Sequence, residues 1–348
     1  MASPLQRKED LLQHLLSMQN SKGGLLSWRE FMQLALYDPE YGYYSCTINS
    51  VGTLGDFTTA PVVSSLLGEA VFLWAERMRS TYPALRHAPL LEIGGGSGAL
   101  AHSMMKARGW RRFFEPYGIV EISEPLRKKQ QKLLRGRRIQ WFATMQEALH
   151  WAKGSALIFS NELVDAFPCS LWQKESDAEW REVCISIEQD KIYEALRSSP
   201  LPSSSVFTQN FPIGQRVETH ESWREWLSEW TGLIRNAAML TIDYGGREAS
   251  PYHRKPLGTL RAFWRQQCLT GSAIYARFGQ QDLTADVNFT DLETWGKEFG
   301  WETLKMQTLA EWLRALGKEK AKNDTDVRLL NEKNAGGEFL AWECVLHS

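Results

Sequence analysis

From Pro89 to Ser160 the chain alternates short apolar runs with helix-like stretches, and this alternation restricts the fold more than any other feature. Pro89-Leu90-Leu91-Glu92-Ile93 reads as a buried strand, followed by a helix from Ala99 to about Ala107. Tyr117 to Glu121, Arg138 to Phe142 and Ala156 to Ser160 read as three more strands, separated by helices at Glu124 to Leu134 and Met145 to Trp151. A strand that is apolar throughout must be covered on both faces, and the intervening helices supply the cover. Such βαβ units build a parallel sheet. With 348 residues, 43% of them hydrophobic, the chain can bury one large core or two moderate ones.

The flanking segments read differently. Helices are expected at 5–20, at 27–38 behind a Ser27/Glu30 capping box, and from about Val63 to Met78. After Ser160 the alternation stops, and residues 169–218 read as β-hairpins, with strands at Glu179 to Glu188 and Lys191 to Leu196. A helix resumes at Ser222, where Glu225 completes a second capping box, and Ala237 to Ile242 reads as a fifth sheet strand. Thr290 and Glu293 are expected to cap a further helix, and Trp301 to Gln307 and Phe339 to Leu346 read as the last two strands. The fold class is therefore α/β. It has a Rossmann-like sheet, mostly parallel with an antiparallel end strand, a helical N-terminal cap and an inserted α+β subdomain. The expected divisions are a cap and lid at 1–86, sheet segments at 87–168, 222–246 and 288–348, a β-rich insertion at 169–221, and a second insertion on the substrate side at 247–287.

Composition removes several functions. The 40 Lys and Arg are matched by 41 Asp and Glu, for a net charge of -1, so no basic excess points to nucleic acid. The basic run around Arg127, Lys128, Lys129 and Lys132 reads as a solvated helix face. Trp223, Trp226 and Trp230 fall at helical spacing and read as a packing stripe. Cys46, Cys169, Cys184, Cys268 and Cys344 are scattered, with neither a CxxC nor an HExxH pattern in the chain, so neither disulfides nor a metal site is expected. No apolar run is long enough to span a bilayer. The first residues mix acids and bases, which argues against a signal or transit peptide. Together these favour a cytoplasmic location, with the mitochondrial matrix as the alternative for a eukaryotic protein.

The candidate site begins at Glu92-Ile93-Gly94-Gly95-Gly96-Ser97-Gly98. Gly94, Gly96 and Gly98 permit positive φ and close approach of a ligand, and the helix that follows offers free N–H groups. Dinucleotide loops space their glycines GxGxxG to seat a diphosphate. Here the spacing is GxGxG, and Glu92 would repel a diphosphate. The acid instead suits a cationic amino-acid group, such as that of S-adenosyl-L-methionine. Glu121 ends the next strand, where it can accept hydrogen bonds from ribose hydroxyls; Trp141, on the third strand, joins the expected cofactor contacts. Asn161 and Glu162 end the fourth strand, where open sheets hold their ligands. Asp165 follows Glu162 by three residues, on the same face of any helical turn. Asp243 ends the fifth strand. Glu162 is the expected catalytic carboxylate, with Asp165 or Asp243 in support. The loop holding Asp56, Phe57, Thr58 and Thr59 reads as a polar lid over the cofactor.

Taken together, these segments resemble the MidA-like methyltransferase family. The resemblance spans about residues 27–300. It rests on Leu36-Tyr37-Asp38-Pro39-Glu40-Tyr41-Gly42-Tyr43-Tyr44, Gly55-Asp56-Phe57-Thr58-Thr59-Ala60-Pro61, the Glu92 to Gly98 loop, Asn161-Glu162-Leu163-Val164-Asp165-Ala166-Phe167-Pro168, Ile242-Asp243-Tyr244-Gly245, Gly258 to Ala262 and Gln281 to Phe289. It implies a class I methyltransferase fold, S-adenosyl-L-methionine as cofactor, and an arginine in a partner protein as acceptor, in the manner of respiratory complex I assembly factors. The family usually reads Leu-Thr-Ala-His-Val-Asp-Phe where this chain has Asp286 for the His and Asn288 for the Asp. The resemblance therefore carries the cofactor further than the acceptor. Two other readings stay open on the sequence: a non-catalytic cofactor-binding assembly factor and a nicotinamide-dependent oxidoreductase.

Overall fold

A computed structural model describes residues 4–48, 64–107, 109, 116–189 and 191–347 of the chain, with side chains from residue 12 onward. Its centre is one eight-stranded sheet. Four parallel strands come from the alternating region: β2 (Leu90–Ile93), β3 (Tyr117–Val120), β4 (Ile139–Phe142) and β5 (Ser155–Asn161). Then β10 (Asn236–Gly246) adds in parallel beside β5, and β16 (Phe339–His347) runs antiparallel to it. The far edge is β15 (Glu302–Thr308), antiparallel to β16, and the short β14 (Val287–Asn288) pairs with the end of β10. The order across the sheet is β15-β16-β10-β5-β2-β3-β4, so the chain reverses its direction of travel between β2 and β5.

Alternate residues of these strands feed two cores. Leu90, Ile119, Leu157 and Leu240 face α3 (Leu66–Thr81), α4 (Ala99–Ala107) and α9 (Leu309–Ala315). Leu91, Val120, Ile158 and Met239 face α6 (Met145–Trp151), α7 (Glu221–Thr231) and α8 (Phe289–Glu298). Burying a large aliphatic side chain stabilises by about 1.5–3 kcal/mol, which explains why strands this short stay in register. Trp223 and Trp230 of α7 are buried there as a packing stripe, but Trp226 is half-exposed and lines the cavity described below.

The cap is made by α1 (Pro4–Ser21) and α2 (Trp28–Tyr37). Ser27 and Glu30 form the expected capping box. The β-rich insertion has four strands, β6 (Ser170–Lys174), β7 (Trp180–Glu188), β8 (Lys191–Arg197) and β9 (Arg216–Thr219). The short β1 (Leu26–Ser27) of the cap pairs with β7, so cap and insertion share one sheet. They also share a core, in which Phe31 and Leu36 meet Val183, Leu260 and Leu283. Within the second insertion β11 (Arg261–Trp264), β12 (Gln267–Leu269) and β13 (Asp282–Thr284) form a three-stranded sheet.

Two expected helix caps are corrected. The helix α7 starts one residue before Ser222, with His220 at the cap position, and Glu225 pairs with Arg29 instead of capping. Asn288, not Thr290, caps α8, its side chain accepting the Thr290 amide. At α8 an equally polar neighbour took the cap, a choice that local spacing leaves open, whereas at α7 the His220 side chain makes no capping hydrogen bond.

Candidate active site

The carboxyl ends of the parallel strands lie level, with Ile93 in register with both Val120 and Ser160, and Ser160 with Thr241. The loops leaving these ends enclose a cavity of about 680 Å³. That size falls within the range of ordinary small-molecule sites. Glu92, Gly94, Gly96, Glu121, Asn161, Glu162 and Asp165 all line it.

In the cofactor half, Gly94 sits at φ +67° and Gly96 at φ +52°. A Cβ on Gly94 would lie 2.7 Å from a methyl of Leu163, so the glycine lets the β2 and β5 loops approach. Glu92 is almost fully buried, and the Tyr117 hydroxyl donates to its Oε2 at 2.7 Å. Burial pushes its carboxyl up to about 8, the Tyr117 hydrogen bond opposes, and the nearby Glu121 adds to the rise. Glu121 is also buried and accepts from the Ser123 amide at 3.0 Å and from Gln130 Nε2 at 2.9 Å; burial raises its pKa. Gln130 in turn donates to the Gly96 carbonyl at 3.0 Å and accepts from the Trp141 indole at 3.1 Å.

In the other half, Glu162 adopts φ +51°, the left-handed region that a glutamate enters only at a cost of about 1–3 kcal/mol. It is held there. Its amide donates to the Ile242 carbonyl at 2.9 Å, Asn161 Nδ2 donates to its Oε1 at 2.9 Å, and the Tyr244 hydroxyl donates to its Oε2 at 2.7 Å. The turn that follows is fixed from the next strand: Asp243 Oδ2 accepts the amides of Leu163, Val164 and Asp165 at 3.0, 2.8 and 3.3 Å. Asp165 is buried at the cavity wall. Burial raises its carboxyl well above the usual range, and Asp243, Asp282 and Glu162 add to the rise. Asp282 and Thr284 of β13 complete this half, with Tyr37 and Tyr44 stacked beside them at 5.6 Å. The Tyr44 hydroxyl donates to Asp282 at 2.9 Å. Asn161 Oδ1 and Thr284 Oγ1, on two residues that line the cavity, are buried without a hydrogen-bond partner in the protein.

Three expected contacts lie elsewhere. Asp243 does not line the cavity; four amide hydrogen bonds make it the scaffold of the Glu162 turn. Trp141 stands behind Gln130, and Gly98, at φ +82°, packs against Gln130. Asp56, Phe57, Thr58 and Thr59 lie outside the described residues. Sequence reasoning did not single out Tyr117, Gln130, Tyr244 or Asp282. Gln130 had a signal: it sits four residues after Leu126 and four before Leu134, a polar residue in an apolar stripe. Asp286 forms ion pairs with Arg261 and Lys255, and Asn288 caps α8.

A doubly covered sheet, reversing between β2 and β5 and carrying acids at successive strand ends, defines a class I methyltransferase architecture. The chain belongs to the family described as "Putative S-adenosyl-L-methionine-dependent methyltransferase", whose model matches residues 66–307. Among curated proteins it is similar to the mitochondrial protein arginine methyltransferase NDUFAF7 of Xenopus laevis, at 26% identity over 311 residues, covering 80% of this chain and 68% of that protein. The Homo sapiens protein of the same name is 26% identical over 321 residues, covering 81% and 68%. Among solved structures, a Burkholderia thailandensis protein bound to S-adenosyl-homocysteine superposes with a TM-score of 0.84 at 24% identity, covering 99% of this chain and 94% of that one. A native structure from the same organism gives a TM-score of 0.81 over the same coverage. The curated relatives carry "mitochondrial" in their names, so the expected cytoplasmic location finds no support among them. No helix among the described residues is long and apolar enough to cross a membrane.

Proposed function

We propose that this protein transfers a methyl group from S-adenosyl-L-methionine to an arginine side chain of a partner protein. The residues present fit the cofactor. Glu92 and Glu121 place acids where an ammonium and a ribose need acceptors, and Gly94 and Gly96 leave room for close approach. When bound, the cofactor supplies a methyl group on a cationic sulfur that leaves as a neutral thioether.

The observation that carries the acceptor assignment is the charge of the far half of the cavity. Glu162, Asp165 and Asp282 meet there, and among the described residues the one Lys or Arg lining the cavity is Arg29, tied to Glu225. Such a recess favours a cation with several N–H donors and a planar face for Tyr37 and Tyr44. A guanidinium is protonated at neutral pH and a poor nucleophile. Glu162, aimed by Asn161 and Tyr244, accepts hydrogen bonds from the guanidinium, orients one nitrogen and takes up the proton that nitrogen loses on methylation. Asp165, at the cavity wall, offers a carbonyl oxygen that accepts a hydrogen bond from the cation that forms. The relatives' names, which read protein arginine methyltransferase and mitochondrial, point the same way and favour a mitochondrial place of action. The test is incubation of the purified protein with methyl-labelled cofactor and a lysate, followed by mass spectrometry of the labelled band. Methylarginine in a discrete protein supports the reading; label on lysine, on a small molecule or on nothing overturns it.

A further inference from the structure

We infer, resting on the cofactor reading above, that Asp286 is a positioning residue that ties the Arg261 guanidinium behind the cavity wall and so withholds a cation from Glu162 and Asp165. Arg261 opens β11 directly opposite Thr284 of β13, one of the lining residues. Its side chain is only 16% exposed and does not reach the cavity. Asp286 Oδ1 takes Arg261 Nη1 at 2.5 Å, while the other carboxylate oxygen takes Lys255 Nζ at 2.6 Å. The Asp286 amide donates to Thr259 Oγ1 at 2.8 Å, which holds the carboxylate on that side. The guanidinium carbon lies 5.2 Å from the centre of the Tyr244 ring, whose hydroxyl grips Glu162. One ring therefore separates a buried cation from the carboxylate assigned to the acceptor.

Without Asp286 that cation has no carboxylate of its own. A buried unpaired guanidinium is costly, and a long side chain moves to avoid it. Beside Asp286, Glu218 is already filled by the amides of Thr259 and Leu260 and by the Thr259 hydroxyl. Across the Tyr244 ring stands the Glu162 carboxylate of the cavity. Its charge, which favours a cationic sulfonium and a cationic acceptor, would then be spent on an internal arginine.

Calorimetry with S-adenosyl-L-methionine and S-adenosyl-homocysteine separates these ideas, because only the first carries the sulfonium charge. In Asp286→Asn, affinity for the sulfonium ligand falls about tenfold while affinity for the thioether stays within about twofold, as a repositioned unit charge a few ångströms away requires. Asp286→Glu retains the wild-type ratio, and Asp286→Asn combined with Arg261→Gln restores it. Thioether binding serves as the folding control. Should Asp286→Asn not fold, Asp286→Ala is read in the same way, with and without Arg261→Gln. An unchanged ratio in the Asp286 variant or a ratio still depressed in the double variant overturns the role. Failure of the wild type to bind either ligand overturns it together with the cofactor reading, whereas a non-arginine acceptor leaves it standing.

Discussion

The hydroxyl of Tyr117 and the carboxylate of Glu92 meet at 2.7 Å across two adjacent parallel strands, beneath the glycine loop. Glu92 titrates near 8 in this burial, against an ordinary value of about 4.5. Between those values the folded chain holds a proton that the unfolded chain has lost. The stability it contributes is present at low pH and disappears as pH rises through 8. A ligand ammonium that pairs with Glu92 must expel this proton. Cofactor binding at pH 7 therefore releases close to one proton, measured by calorimetry in buffers of different ionisation enthalpy. Affinity strengthens from pH 6 to 8. In Glu92→Gln both the proton release and the pH dependence vanish; persistence of either in that variant contradicts the pairing.

Glu121 accepts from Ser123 and Gln130 and retains lone pairs toward the cavity. Replacing it by Gln removes charge-assisted hydrogen bonds worth about 2 kcal/mol, roughly 30-fold in affinity. S-adenosyl-homocysteine binding should weaken by that factor with the circular dichroism spectrum unchanged. A change below about threefold would show that Glu121 only braces the loop.

Glu162 combines strain with fixation. Glu162→Gln should lower turnover by about 100-fold while S-adenosyl-homocysteine affinity stays within twofold. Glu162→Gly, at φ +51°, relieves the left-handed backbone and raises the melting temperature, though turnover is lost. Turnover surviving in Glu162→Gln assigns Glu162 a purely structural part.

The second insertion is clamped to the first through Gly258, at φ +82°, where a Cβ would stand 2.2 Å from Glu218 Oε1. Gly258→Ala should destabilise by about 2–4 kcal/mol, through backbone strain and the loss of the Glu218 hydrogen bonds. Thermal melts followed by circular dichroism read this directly. A melting temperature equal to wild type would mean the loop yields freely.

Much of this was legible in the chain. The βαβ region reads cleanly because doubly covered strands are short, apolar runs; the helix at Met145–Trp151 was located to the residue. Glu92, Glu121 and Glu162 stand at strand ends, where the topology of an open sheet places ligands whatever the loops do. What escaped depends on distant packing. Tyr244 and Asp282 reach the cavity from separate segments, and Asp243 turns from a candidate catalyst into a scaffold because three amides from another loop converge on it. The strands at Ser170–Lys174 and Arg216–Thr219 pair with each other across the whole insertion, a contact that no local pattern announces.

The account depends on which small molecule the glycine loop holds. Separate calorimetric titrations of the wild-type protein with S-adenosyl-homocysteine and with NADH decide this. A single saturable site for S-adenosyl-homocysteine, weakened but still measurable in Glu92→Gln, with no heat from NADH, is the predicted result. Saturable NADH binding with none for S-adenosyl-homocysteine would contradict it.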